Sequence, residues 1–255
     1  MNRPIALLTD FGTKDWFAAS MKGAILGVNP RAVILDVTHD IPRGNIPAAA
    51  FSLFACHTSF PKGTVFAVIV DPGVGSTRAA IAVFAGGYFF VGPDNGVLSV
   101  AVNAYPQAEI RELRNSACFR KTVSPTFHGR DIFAPVAARI SKGFAFWKLG
   151  PKRKGMECIS MPVAKKAGKQ IKGMVMYIDG FGNCITNVPT VFASRKRARL
   201  RVRNRSIPIC PFYADVGEGK PLAVAGSCGF IEVSVNQGNA AKELRLKVGD
   251  TVSIR

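Results

Sequence analysis

The amino-acid sequence predicts an α/β protein: an N-terminal three-layer α/β domain with a largely parallel sheet, followed by a smaller C-terminal all-β barrel-like domain. Three observations predict this. As far as about residue 150, short β-like runs alternate with apolar segments of helical period. Polar residues stand at the ends of three of those β-like runs. From residue 173 onward the long helical period disappears and short β segments separated by turns take over.

In chain order, residues 4–8 read as a strand, 16–26 as a helix, 32–37 as a strand, 46–56 as a further apolar segment and 64–70 as a strand, the βαβαβ pattern of a parallel sheet. The strands run into Asp10, into Thr38-His39-Asp40 and into Asp71. Open α/β sheets bind ligands at these carboxyl ends. Residues 79–85 and 88–91 flank Gly86-Gly87 as a hairpin. The turn Gly92-Pro93-Asp94-Asn95-Gly96 precedes the apolar stretch 97–102, and 131–140 reads as the last helix of this domain.

Composition then shifts. Residues 148–155 and 165–172 are rich in Lys and Arg, so the expected organisation is an α/β domain over 1–150, a basic linker over 151–172 and a β domain over 173–255. Within the last, residues 197–205 read as one strand, with Arg197, Arg199, Arg201 and Arg203 on one face and Ala198, Leu200 and Val202 on the other.

The 255 residues are 48% hydrophobic, enough for substantial cores. Six scattered cysteines without a Cys-x-x-Cys pair fit neither a zinc ribbon nor a disulfide framework, and point to reduced thiols in a cytoplasmic protein. The apolar stretch near the amino terminus is too short for a signal-peptide core, and no run reaches membrane-spanning length. With 34 Lys and Arg against 16 Asp and Glu, the net charge of +18 raises affinity for polyanions.

Two clusters carry chemistry. Val70-Asp71-Pro72-Gly73-Val74-Gly75-Ser76-Thr77-Arg78 sets an aspartate at a strand end and brings an arginine back towards it through a glycine turn. It starts like a dinucleotide fingerprint, but Arg78 stands where the third glycine belongs, and no helical period follows. Thr126-Phe127-His128-Gly129-Arg130-Asp131 places a histidine just before a helix. Asp71, Arg78 and His128 are therefore the candidate reactive groups. His39-Asp40 with His128 and Asp71 would be the ligands of a metal-dependent hydrolase, although no tight ligand spacing accompanies them. Asp179-Gly180-Phe181-Gly182-Asn183 combines an acid, an aromatic and an amide suited to a heteroaromatic ring. Gly226-Ser227-Cys228-Gly229-Phe230 offers backbone amides to a carboxylate. The basic stripe from Arg195 to Arg205 is the argument for a rival, a nucleic-acid or nucleotide-binding protein, but it lacks stacking aromatics.

Leu8-Thr9-Asp10-Phe11-Gly12 with Asp15, Met21-Lys22-Gly23, Asp36-Val37-Thr38-His39, Val70 to Gly75, Val91 to Gly96, Thr126 to Asp131 and residues 179–183 follow in an order that resembles the S-adenosylmethionine hydroxide adenosyltransferase family, relatives of the fluorinases and chlorinases. The resemblance covers nearly the whole chain. It implies that water is added to S-adenosylmethionine, giving adenosine and methionine, through an Asp71, Arg78 and His128 triad. It also implies that Asp10 holds the ribose hydroxyls, that Asn183 reads adenine beside Phe181, and that Asp179 and Ser227 hold the amino-acid end. No metal or other cofactor is implied. The halogenating relatives lack the aspartate and histidine of the triad, so hydroxide is the expected nucleophile. Some relatives carry an arginine after the carboxylate-binding serine; here Cys228 follows Ser227, which leaves the carboxylate without an assigned cation. The family forms trimers with sites at subunit interfaces, which implies a homotrimer here. Either Asp71 or His128 would accept the water's proton.

Overall fold

The structure is a computed structural model, and it describes residues 2–193 and 198–254. By internal contacts the chain divides into one compact unit up to Ser160 and a second from Met161.

The first unit contains β1 (Ile5–Thr9), α1 (Phe17–Val28), β2 (Ile34–Thr38), α2 (Ile46–Cys56), β3 (Val65–Ile69), β4 (Ala80–Ala85), β5 (Tyr88–Pro93), α3 (Ser99–Val102), β6 (Ala108–Glu112), α4 (Ala134–Ser141) and β7 (Lys152–Arg153). Its seven-stranded sheet has the order β2-β1-β3-β5-β4-β6-β7. The first four neighbours are parallel and the remainder antiparallel. Strand alternation sorts the core into two layers. Ile5, Leu7, Val65, Ala67 and Ile69 pack with Met21 and Ile25 of α1 and with α4 on one face. Ala6, Leu8, Phe66, Val68 and Val70 pack with Leu53 of α2 and with Leu98 and Ala101 on the other. Phe66 and Phe90 are fully buried with ring centroids 5.5 Å apart, and the burial of each contributes about 1.5–3 kcal/mol.

Local chemistry sets the ends of these elements. Asn45 caps α2 by accepting the Ala48 N–H at 3.0 Å, with Pro47 in the first turn. The β4–β5 turn uses Gly86 and Gly87 at φ 57° and 83°, and a Cβ at Gly86 would run into the Tyr105 ring.

The stretch 151–172, expected as a linker, is structured at both ends. Lys152–Arg153 forms β7 on the first sheet, because Arg153 is held by Asp94 at 3.0 Å and Glu112 at 3.1 Å. Lys165–Ala167 forms β8 of the second unit. A run of Lys and Arg looks solvated until its ion-pair partners, distant in sequence, are known.

The second unit adds β9 (Gln170–Ile178), β10 (Cys184–Pro189), β11 (Arg199–Val202), β12 (Arg205–Cys210), β13 (Pro221–Ala225), β14 (Phe230–Val235), α5 (Ala240–Glu243) and β15 (Thr251–Ile254). The order β10-β14-β13-β12-β11-β15-β9 closes through β9–β10 pairing into a seven-stranded barrel, with β8 appended to β9. Leu200, Val202, Ile207, Ile231, Val233 and Ile254 fill it. The single strand expected over 197–205 is instead a hairpin. Arg199 and Arg201 face solvent and Leu200 and Val202 the core, but the chain reverses at Arg203 (φ 51°) and Asn204, so that Val202 pairs with Arg205. The alternation of arginines hid the turn. Arg195 and Arg197 lie outside the described residues.

Candidate active site

Because β1 and β3 are parallel and Thr9 pairs with Ile69, the residues that follow them emerge at one edge of the sheet, and Asp10 and Asp71 line one cavity there. Asp10 is fixed by the Gly44 N–H, which donates to Oδ2 at 2.8 Å. After Asp71 the chain turns tightly, with Val74 N–H donating to the Asp71 carbonyl at 3.2 Å and Ser76 N–H to the Gly73 carbonyl at 3.1 Å. Gly75 has φ +80°, and a Cβ there would lie 2.4 Å from the Pro125 carbonyl oxygen. Only glycine lets this loop seat against the segment that leads to His128.

The turn delivers Arg78 to Asp71. Nε donates to Oδ1 at 2.8 Å, Nη2 donates to Oδ2, and the same Nη2 donates to His128 Nδ1 at 2.9 Å. The side chains of Arg78 and Asp71 are nearly buried, and the guanidinium carbon sits 5.4 Å from the centre of the Phe133 ring. The three sequence-predicted groups therefore form one hydrogen-bonded cluster. A guanidinium only donates, so His128 Nδ1 must accept and the neutral ring carries its hydrogen on Nε2. Burial first, and then the adjacent Arg78 charge, hold the imidazole below its ordinary pKa against the opposite pull of Asp71 and Asp131.

His128 precedes a π-helical turn, Gly129–Phe133, that runs into α4, a distortion frequent at functional sites. Asp131 is fully buried and braces this turn, accepting from Arg130 Nε at 2.6 Å, Arg120 at 3.3 Å and the Ser124 N–H at 2.9 Å. Burial works to raise the Asp131 carboxyl, but the Arg130 and Ser124 hydrogen bonds bring it below the usual range. Arg130 and Asp131 thus support the motif from behind and do not line the cavity.

The cavity, about 490 Å³, is bounded by Asp10, Asp15, Asp71 and His128, with Phe17 and Phe127 among its apolar walls. Phe17 and Phe127 meet edge to face at 5.2 Å. Arg43 also lines it. Neither Arg43 nor this aromatic wall was anticipated, since no periodic signal in the sequence links residues 17, 43 and 127. His39 does not join His128 and Asp71 as a metal reading requires. It is buried, with Nδ1 against Thr9 Oγ1 at 2.8 Å and Nε2 against Asp36 Oδ1 at 3.0 Å. Among the described residues no group of three or more His, Cys, Asp or Glu is arranged to hold a metal.

In the second unit Asp179 organises its turn, with Oδ1 accepting from the Phe181 and Asn183 N–H groups at 3.0 and 2.8 Å and Oδ2 accepting from Asn183 Nδ2 at 3.0 Å. Phe181, 80% exposed, and Asn183 line a cavity of about 450 Å³ together with Tyr213, Val235, Gln237 and Gly238. Ser227 is exposed on the turn between β13 and β14 and does not line that cavity. Sequence reasoning missed Tyr213 and its partner Glu232, whose Oε1 accepts the phenol hydrogen at 2.5 Å.

Models of the SAM hydroxide adenosyltransferase N-terminal and C-terminal domains match residues 5–150 and 173–253. The chain belongs to the SAM hydroxide adenosyltransferase family. It is 35% identical over 99% of both chains to an (R)-S-adenosyl-L-methionine hydrolase of Thermus thermophilus, and 34% identical over 98% of its own length and 97% of the relative's to one of Salinispora tropica. A fluorinase of an Actinoplanes species is 26% identical over 99% of this chain and 97% of its own. The crystal structure of an uncharacterized conserved protein from Thermotoga maritima superposes with a TM-score of 0.92 at 38% identity, covering 98% of this chain and 99% of that one. In this member of the adenosyltransferase family, the Asp71, Arg78 and His128 cluster and Asp10 share the first unit, and Asp179, Phe181, Asn183 and Ser227 share the second.

Proposed function

We propose that this protein hydrolyses S-adenosyl-L-methionine to adenosine and L-methionine, with a water oxygen attacking ribose C5′. The observation that carries the reading is Arg78 clasping Asp71 with one edge and His128 Nδ1 with the same Nη2, beside Asp10 on one cavity. The new C5′–O bond forms as the C5′–S pair leaves to sulfur, so the sulfonium becomes a neutral thioether and the water loses one proton. In-line placement supplies much of such a rate gain. The apolar wall of Phe17 and Phe127 keeps bulk water from competing with the positioned one.

The histidine's hydrogen placement supports one division of roles. With Nδ1 occupied by Arg78, His128 presents an Nε2–H that orients the water oxygen, and Asp71 is left as the acceptor of the water's proton. Asp10 would hold the ribose hydroxyls, Asn183 and Phe181 the adenine, and Asp179 and Ser227 the amino-acid end. No cofactor takes part in this scheme. We read the working form as a cytoplasmic homotrimer with sites at subunit interfaces, which sedimentation velocity tests. No helix among the described residues is long and apolar enough to cross a membrane.

Incubation with S-adenosylmethionine in ¹⁸O-water should give adenosine labelled at the 5′-hydroxyl. Unlabelled adenosine, or none, would overturn the assignment.

A further inference from the structure

The outer face of β14 carries a polar pair that the scheme above does not use. Ile231, Val233 and Val235 point into the barrel, so Glu232 and Ser234 lie on the opposite face, yet both are buried, Glu232 to 8% exposure. Glu232 Oε1 takes the Tyr213 phenol. Its Oε2 lies under the turn between β13 and β14, close enough that a Cβ at Gly226 would come within 2.8 Å of it. Among the described residues no cation pairs with Glu232, and Asp179 adds a second negative charge nearby. Ser234 Oγ, on the same face, is sealed from solvent and lies against the Tyr213 phenol.

A carboxylate buried without a cation is costly. Burial raises the Glu232 carboxyl above its ordinary value, with Asp179 adding to the rise and the Tyr213 bond opposing it. Burial and the Glu232 bond push the Tyr213 phenol up to about 12, so it stays a donor. Glu232 is thus held by one oxygen and offers the other, between the two turns that carry Asp179 and Ser227.

We propose that Glu232 is a specificity-determining residue whose Oε2, together with Asp179, seats the α-ammonium of the substrate. This rests on the reading of S-adenosylmethionine as substrate. A primary ammonium has three donors and needs several acceptors. Glu232 selects substrates that carry this group, and sulfonium nucleosides without it bind less well.

The test compares wild type with Glu232→Gln, which keeps an acceptor for Tyr213 and removes the charge. Binding of S-adenosylmethionine and of its analogue lacking the α-amino group is measured by calorimetry, alongside steady-state kinetics. The variant should bind S-adenosylmethionine about tenfold more weakly, with kcat within about twofold and affinity for the deamino analogue unchanged. Equal loss for both ligands, or loss for neither, overturns the proposal. A second measurement needs only the wild type. Acidification through the raised Glu232 pKa should weaken S-adenosylmethionine binding more than that of the deamino analogue. The groups facing Glu232 are Asp179 before β10, Tyr213 between β12 and β13, and Cys228 in the turn before β14. Parallel pH curves for the two ligands would contradict the proposal. Wild type that binds S-adenosylmethionine with the expected discrimination but releases no adenosine would refute the hydrolase reading and leave the ammonium seat standing.

Discussion

The two polar clusters of the molecule are built on opposite plans. In the first unit the carboxylate of Asp71 already has its cation, Arg78, and a histidine locked onto that cation. In the second, Asp179 and Glu232 lie together with only neutral donors around them. The first is electrostatically complete without ligand, as a site that orients a neutral water requires. The second is short of positive charge, an arrangement that a cationic ligand would complete. On the proposed reading, chemistry would rest on strand ends of a parallel sheet, and recognition on turns and exposed aromatics of a barrel.

The largest expected effect strikes the finished cluster. Asp71→Asn should lower kcat by about 10²–10⁴-fold and leave KM within a few-fold, because the water loses its proton acceptor while the binding surfaces stay in place. A variant as fast as wild type would remove the triad from the mechanism. Gly75→Ala should come next, lowering stability by about 1–3 kcal/mol and kcat with it, since a methyl group against the Pro125 carbonyl pushes the Arg78 loop away from His128. Thermal unfolding alongside kinetics checks this, and an alanine tolerated without loss would mean that the close approach does not matter. Asp10→Ala tests whether the first cavity also binds, through a KM raised about tenfold with a smaller change in kcat. A purely catalytic loss would move Asp10 out of the recognition set.

The smallest effect is a pH profile. In the proposed mechanism His128 works in its neutral form, and burial beside Arg78 lowers its pKa. Protonation would cost the ring its Nδ1 acceptor. The rate should therefore be level around neutrality and fall only as pH drops through a value below that of free imidazole, about 6.5. An acid limb centred above that value would show that the ring is not held as described.

The fold was largely legible in the sequence. The helix α2 occupies residues 46–56 as read, and β1 and β3 depart from the expected limits by one residue at each end, because fully buried parallel strands are short apolar runs bounded by turn residues. In the basic segments, the alternation of arginines hid the turn at Arg203, and the ion-pair partners were out of sight. Arg153 and Arg203 are exposed-looking residues whose partners, Asp94, Glu112 and Asp250, lie far away in sequence. In the site, Asp71, Arg78 and His128 could be found because glycine turns mark them. Glu232 could not, since it reads as an ordinary outward-facing strand residue and its cover comes from the distant Tyr213 and the turn at Gly226. His39 misled in the other direction, a histidine at a strand end whose two nitrogens are both satisfied by Thr9 and Asp36.

The clasp of Arg78 on His128 joins segments 50 residues apart, one leaving β3 and the other entering α4 across the face of the sheet. It is a contact between distant segments, and it needs both the loop at Gly75 and the π-helical turn in place. Recovery of turnover after dilution from denaturant should therefore lag the return of circular dichroism, so that enzymatic rate serves as a gauge of completed refolding and subunit assembly together.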